Sequence, residues 1–188
     1  MRVIAGSARG RQLKGPPGRR QAPGVRPSSD LVRSALFDSL HALGADFSRV
    51  LDLYAGTGAL GIEALSRGAG ACHFVEKDRT MAEVIRENLA ATGFGDAAEV
   101  IVSPAERAIE RLSGPYTLVL ADPPYADATA PGVLARLAGS GAVDPGCGTI
   151  AFEHGTREEP PAAIGAFALA RSLRHGDSTV SIYRASAS

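Results

Sequence analysis

Beyond residue 48 the chain alternates two patterns of apolar residues. Short runs rich in β-branched and other apolar side chains occupy 50–54, 71–76, 99–102, 117–121 and 149–152, a pattern that predicts strands. Between them, 60–67, 79–92, 104–111 and 128–138 carry apolar residues at the spacing of a helix face. Strand and helix in alternation predict a mainly parallel sheet covered on both faces. Near the C-terminus the rhythm changes. Residues 166–173 and 178–183 are extended runs joined by Arg174-His-Gly-Asp177, which predicts a hairpin closing the sheet with antiparallel strands. The pattern as a whole predicts an α/β fold with a seven-stranded, mainly parallel sheet.

Two further elements precede that sheet. Leu31, Val32, Ala35, Leu36 and Leu40 share one face of a helix, and Pro27, Ser28, Ser29 and Asp30 are the residue types that favour a helix start. Upstream, 2–5 and 11–13 flank a Gly-Ser-Ala-Arg-Gly turn, predicting a small basic β-hairpin, and a flexible Gly15-Pro-Pro-Gly-Arg-Arg20 stretch follows. The chain thus divides into a basic N-terminal arm over 1–27 and a single domain over 28–188, with no internal repeat.

At 188 residues and 45% hydrophobic content, the chain can bury one substantial core and is too short for two. A formal charge of zero argues against a nucleic-acid partner until its distribution is considered. Residues 1–33 carry eight basic residues against one acidic, whereas the remainder carries 12 against 19. A basic arm on an acidic body can contact phosphates while the whole chain stays neutral; a solvated tail has the same composition. Cys72 and Cys147 are too few for a disulfide framework, and no CxxC or His-rich spacing suggests a metal. The N-terminus lacks the apolar core of a signal peptide, and no run of about 18 apolar residues could span a bilayer. A cytoplasmic location without membrane contact is therefore expected.

Candidate chemistry begins at Asp52-Leu-Tyr-Ala-Gly-Thr-Gly-Ala-Leu-Gly61. Gly56, Gly58 and Gly61 satisfy GxGxxG between a predicted strand and a predicted helix, and Glu76 ends the next strand, which by the letter is a dinucleotide fingerprint. Asp52 decides between ligands. In a nicotinamide site the helix start receives a doubly charged pyrophosphate, and a carboxylate about 4 Å away would oppose it by roughly 4 kcal/mol per charge pair at an effective dielectric of about 20. S-adenosylmethionine carries no phosphate and presents a sulfonium and an ammonium, so there the Asp52 carboxylate attracts. Glu76 accepts hydrogen bonds from ribose hydroxyls in either case.

The second motif, Asp122-Pro-Pro-Tyr125, follows an apolar run and so falls at the carboxyl end of the fourth strand, the edge where open α/β sheets bind ligands. The exocyclic amine of a nucleobase is a poor nucleophile because its lone pair is delocalised into the ring. Two acceptors aimed at its hydrogens, the Asp122 carboxylate and the Pro123 carbonyl, would hold the lone pair towards a sulfonium methyl. Consecutive prolines restrict the backbone and remove competing donors, and Tyr125 offers a flat surface for the base. Positioning and electrostatics then carry the rate, with no metal and no covalent intermediate. Neither cysteine sits in a Pro-Cys setting after a strand, which disfavours attack on a pyrimidine through a thiolate.

With both motifs in place, the chain resembles the class I, Rossmann-like methyltransferases, and within them the RsmD-type enzymes that methylate guanine N2 in bacterial small-subunit (16S) ribosomal RNA. Arg2-Val-Ile-Ala-Gly with Arg9-Gly-Arg11, Arg26-Pro-Ser-Ser-Asp-Leu-Val-Arg33, the 52–68 segment, Val75-Glu76 and Asp122-Pro-Pro-Tyr125 carry the likeness over nearly the whole chain. The amine clamp is shared with many DNA and RNA enzymes; the two N-terminal motifs are more specific. The resemblance implies that Asp52, Gly56, Gly58 and Glu76 serve the cofactor, S-adenosyl-L-methionine, and that Asp122, Pro123 and Tyr125 serve the target amine. It further implies that Arg9, Arg11, Arg26, Ser28, Arg33 and Pro124 face the RNA substrate, with Arg26, Ser28 and Arg33 beside the cofactor mouth. Where many relatives place Asp or Asn after the third strand, this chain has Ser103-Pro104-Ala105, so adenine recognition falls to the backbone near Ala105.

The implied partner is rRNA in the small ribosomal subunit or an assembly intermediate, acted on by a monomer. Rival readings are a DNA amino-methyltransferase acting on adenine N6 or cytosine N4, a non-catalytic RNA-binding assembly factor, and, against Asp52, a nicotinamide oxidoreductase. Small size without an evident base-reading domain weighs against the DNA enzyme. Glu63 either braces the glycine loop or caps a surface. His41, His73, His154 and His175 have no acid partner in sequence and are assigned no catalytic role.

Overall fold

The computed structural model describes residues 1–16, 18, 27–124, 127–157 and 159–185. Helix α1 spans Pro27–Ala42, β1 Arg49–Leu53, α2 Ala59–Ser66, β2 Ala71–Glu76, α3 Arg79–Thr92, β3 Ala98–Val102, α4 Ala105–Ala108, β4 Leu118–Ala121, α5 Ala130–Gly139, β5 Thr149–Gly155, β6 Ala163–Ile164, β7 Phe167–His175 and β8 Ser178–Ala185. They build one sheet in the order β3-β2-β1-β4-β5-β8-β7-β6. β1 to β5 pair in parallel, and β8 lies antiparallel between β5 and β7. The sheet therefore has one strand more than the apolar pattern predicts. The extra one, β6, is two residues long and pairs only with β7, too short to leave an alternating signature.

β4 is apolar throughout, and β1 is apolar at Val50, Leu51 and Leu53, because both faces of the sheet are covered. Val50, Leu118 and Leu120 point into a core shared with α1, α2, α3 and the N-terminal segment. Leu51, Leu53, Val119 and Ala121 point into a second core built with α4 and α5. Each fully buried leucine contributes about 1.5–3 kcal/mol to the preference for this arrangement. Strand order reverses between β1 and β4, and such a switch point leaves a crevice beyond the carboxyl ends of the two strands.

Caps fix the helix ends. Asp78 accepts from the N–H groups of Thr80 and Met81 at the start of α3, at 2.7 and 3.1 Å. Gly93 ends it in the left-handed conformation at φ +81°. The β7–β8 hairpin turns on Gly176 and Asp177, with Gly176 at φ +58°, where a tight hairpin turn needs a glycine.

Three expectations are corrected. The N-terminal hairpin is shorter than a pairing of 2–5 with 11–13: one antiparallel bridge, Arg2 to Gln12, is closed by Leu13 N–H to the Met1 carbonyl at 2.9 Å and Val3 N–H to the Arg11 carbonyl at 3.0 Å. The N–H groups of Ile4 and Ala5 donate to the Glu63 carboxylate on α2 instead of to a partner strand. Helix α1 buries Leu36, Phe37 and Leu40, whereas Leu31 is 63% exposed; the buried stripe is displaced from the one read off the sequence, and Leu31 overhangs a cavity. Finally, α4 is helical only over four residues and then tightens into turns, with Arg111 N–H donating to the Ala108 carbonyl. No helix among the described residues is long and apolar enough to cross a membrane, and no three described His, Cys, Asp or Glu side chains gather around a metal-sized space.

Candidate active site

Asp52 is 2% exposed, and its Oδ2 accepts from the Gly61 N–H at 2.8 Å. The carboxylate thus ties the end of β1 to the first turn of α2, an engagement that the motif alone does not reveal. It also explains Gly61, because a Cβ there would lie 2.3 Å from Phe74 Cε1 and 2.7 Å from Cys72 Sγ. Burial pushes the Asp52 carboxyl well above the usual carboxylate range; the Gly61 N–H opposes this, and Asp122 and Glu76 add to it.

Tyr54 follows with φ +68°, the one non-glycine among the described residues in the left-handed region, a conformation that concentrates at functional sites. Its hydroxyl is buried and has no hydrogen-bond partner among the described residues. Burial raises its pKa, with Asp127 and Glu106 contributing. Gly56 and Gly58 carry the chain through the turn at φ +56° and +77°, and a Cβ at Gly56 would meet no protein atom within 4 Å, only open cavity. Glu76 spans two backbone segments, its Oε2 accepting from Gly56 N–H and its Oε1 from Asp78 N–H, both at 2.8 Å.

Asp122 leaves β4 at the switch point. Its side chain stands open to solvent on one side while the cavity walls enclose it on the others. That enclosure, with Glu153 as a second cause, pushes its carboxyl up to about 7. Pro123 is buried and Pro124 exposed; the Pro124 carbonyl accepts from Asp127 N–H at 2.8 Å. Tyr125, assigned to base stacking, lies outside the described residues.

Two cavities meet at this edge. One of about 640 Å³ is lined by Glu76, Lys77, Ser103, Pro104, Ala105 and the rim of Asp122 to Pro124. The other, of about 840 Å³, runs between Asp52, Asp122, Glu153, α1 and the turn at Gly176. Both are lined by Tyr54, Gly56 and Asp122. The structure therefore brings Asp52, Gly56, Glu76, Ala105, Asp122, Pro123 and Pro124 to one edge, and it adds Tyr54 as the wall between two compartments. Only the φ of Tyr54 and its stranded hydroxyl reveal that position, and neither is visible in sequence.

The predicted RNA-facing residues separate. Arg9 and Arg11 are exposed. Arg26 and the side chain of Ser28 lie outside the described residues, as do residues 17, 19 and 20 of the 15–20 stretch. Arg33 borders the larger cavity, but it is 5% exposed and its Nη2 donates to the Arg2 carbonyl at 2.7 Å and to Asp30 Oδ1 at 2.9 Å. Its charge is engaged inside the fold, and burial lowers its pKa against the opposing pull of Asp30 and Glu63. Glu63, which the sequence leaves open between brace and cap, is fully buried. It accepts from Ile4 and Ala5 N–H at 2.8 and 3.0 Å, pairs with Arg67 Nε at 2.8 Å and lies 3.9 Å from Arg33 Nε. Asn88 makes a second brace. Its Oδ1 accepts from Lys14 N–H at 2.7 Å, and its Nδ2 donates to the carbonyls of Lys14 and Thr57 at 3.1 and 3.0 Å.

A mainly parallel sheet with its switch point between β1 and β4, an acidic strand end, a glycine turn and Asp122-Pro-Pro124 on the same cavity edge define a Rossmann-like class I methyltransferase. The family model described as Conserved hypothetical protein 95 matches residues 1–184. The chain belongs to this family, the RsmD-type methyltransferases. It is 34% identical over 188 residues to a Bacillus subtilis protein named "Putative rRNA methyltransferase YlbH", covering 98% of each chain. It is 39% identical over 125 residues to "Ribosomal RNA small subunit methyltransferase D" of Escherichia coli, a match covering 66% of this chain and 60% of that protein. Among solved structures, "Putative methyltransferase yhhF from Escherichia coli" superposes with a TM-score of 0.82 at 31% identity, covering 100% of this chain and 99% of the other.

Proposed function

We propose that this protein transfers a methyl group from S-adenosyl-L-methionine to the exocyclic N2 of a guanine in small-subunit ribosomal RNA, in the cytoplasm. The observation that carries the reading is the meeting of two compartments at Asp122: one suited to a nucleoside with a cationic tail, the other open to a base. The names of the relatives in Bacillus subtilis and Escherichia coli supply the RNA class.

The residues present fit the donor. Gly56 is an open cradle that any Cβ would fill, Glu76 stands beside it with lone pairs free on oxygens that already brace the turn, and Ser103 to Ala105 line the far wall. Asp52, Glu76 and Asp122 make the edge acidic, which suits a sulfonium and an ammonium and opposes a pyrophosphate. S-adenosylmethionine supplies an activated methyl group when bound. Asp122 would accept one hydrogen of the target amine and the Pro123 carbonyl the other, directing its lone pair across the shared wall; the base must leave its stack to reach them. The proton shed on transfer passes to the Asp122 carboxylate or to water at its exposed side. The exposed Arg9 and Arg11, with the rest of the arm, would hold phosphates.

The raised pKa of Asp122 makes the acidity of this edge adjustable. Below pH 7 the group holds a proton and loses its attraction for a cation; above it the attraction is present. Donor affinity measured calorimetrically should therefore rise about tenfold between pH 6 and pH 8, and the rise should vanish in Asp122→Asn. A flat profile in the wild-type protein would contradict the assignment of Asp122 to the donor edge.

The decisive experiment supplies methyl-labelled donor to assembled small subunits, stripped ribosomal RNA and duplex DNA in parallel, and maps the labelled base. Label at guanine N2 in RNA is expected. Label in DNA alone would favour the amino-methyltransferase rival, whereas RNA binding without label would favour an assembly factor.

A further inference from the structure

The larger cavity holds a second carboxylate that neither the sequence motifs nor the proposed chemistry uses. β4 and β5 run parallel, with Leu118 opposite Thr149 and Ala121 opposite Phe152. Asp122 and Glu153 are the next residues on these two neighbouring strands, so they stand side by side at the carboxyl edge. Both line the larger cavity, Glu153 is half-buried, and its charge is felt at the Asp122 carboxyl. Glu153 also lines a cavity of about 200 Å³ on the far side of Pro123 and Pro124. The wall facing a target base thus presents two adjacent carboxyl groups, and an ionised carboxylate can only accept hydrogen bonds.

The three amines that a prolyl clamp could hold differ in their neighbours. Beside the N2 amine of guanine lies N1–H, a donor. Beside the N6 amine of adenine lies N1, and beside the N4 amine of cytosine lies N3, both unprotonated acceptors. A second carboxylate next to the first meets a complementary hydrogen on guanine. On adenine or cytosine it meets a lone pair, and a buried acceptor facing an acceptor is unfavourable. We infer that Glu153 is a specificity-determining residue that accepts the N1–H of the target guanine while Asp122 accepts a hydrogen of its N2 amine. The inference rests on the proposed guanine-N2 activity and supplies a reason within this chain for guanine over the other two bases.

The test uses 2-aminopurine, which keeps the 2-amino group but has no hydrogen at N1. Small subunits are reassembled on RNA carrying either guanine or 2-aminopurine at the labelled position, and kcat/KM is measured for each with the full-length protein. The wild type should prefer guanine by on the order of 10- to 100-fold. Glu153→Gln, which can turn a donor towards an unprotonated N1, should lose most of its guanine activity and narrow or invert that ratio. Glu153→Asp keeps an acceptor but draws it back by one methylene, and it should lower turnover while preserving the guanine preference. Donor affinity of each variant within about twofold of wild type shows that the fold is intact, and a variant that fails this check leaves the other to decide. A guanine to 2-aminopurine ratio unchanged in Glu153→Gln, with guanine N2 still methylated by the wild type, would overturn the inference alone. Absence of any guanine methylation by the wild type would overturn it together with the reading on which it rests.

Discussion

Replacing Asp122 by Ala should lower methyl transfer at saturating donor by on the order of 10²- to 10⁴-fold, while donor affinity at neutral pH falls by less than about tenfold. The argument is geometric. The amine gains nothing from a stronger base, since its lone pair is tied up in the ring; what it gains is orientation, and Asp122 stands where the two cavities meet. Single-turnover rates with prebound donor isolate this step, and an Ala variant that keeps wild-type turnover would remove Asp122 from the mechanism. The same residue should reveal itself in stability. Its folded pKa of about 7 lies above the unfolded value near 3.8, so between those pH values the folded chain holds the extra proton. Stability is full below the lower value and is lost as pH rises through the upper one. Asp122→Asn should thus be more stable than wild type at pH 8, by about 1 kcal/mol once solvent at the exposed side chain is allowed for, and so melt at a higher temperature, and the two should converge near pH 4. An essential residue that weakens its own fold is a common price of function.

The second large effect lies away from the chemistry. Glu63→Ala should destabilise the fold by about 3–5 kcal/mol, because one buried carboxylate serves Ile4 and Ala5 N–H, Arg67 and Arg33 together, and its removal strands buried cations and donors. In a chain of this length that lowers the melting temperature by on the order of 10 °C. Residues 1–14 should become sensitive to protease at the same time. A melting temperature within about 2 °C of wild type would show that Asn88 and Ser66, whose hydroxyl accepts from Ala8 N–H at 3.0 Å and whose carbonyl accepts from Ser7 N–H at 2.8 Å, hold the segment without it.

The parts of this molecule legible in sequence are those fixed by local chemistry. The strand over 71–76 and the helix over 79–92 coincide with β2 and α3, because β2 is bounded by turns and α3 by its Asp78 cap and Gly93. The glycine turn and the prolyl tetrapeptide identified a chemistry because their residue types are costly to use elsewhere. What the sequence could not express is pairing across distance. Arg33 reads as a surface cation until Asp30, Arg2 and Glu63 are seen around it. Asp52 reads as a ligand for a cation, and its hold on Gly61 emerges only when α2 folds back over β1. Ile4 and Ala5 read as a strand, since nothing nearby announces that their donors are claimed by a helix 58 and 59 positions away. His154, set aside for want of an acid partner, lies buried against the Ser181 hydroxyl at 2.8 Å, a core polar pair.

Asn88 gives the molecule a mechanical property. Its single planar amide grips Lys14, where the basic arm departs, and Thr57, within the glycine turn. A displacement of Lys14 is transmitted to that turn through the three hydrogen bonds of one side chain, so the arm proposed to grip a long polyanion and the turn proposed to seat a small cation share one fulcrum.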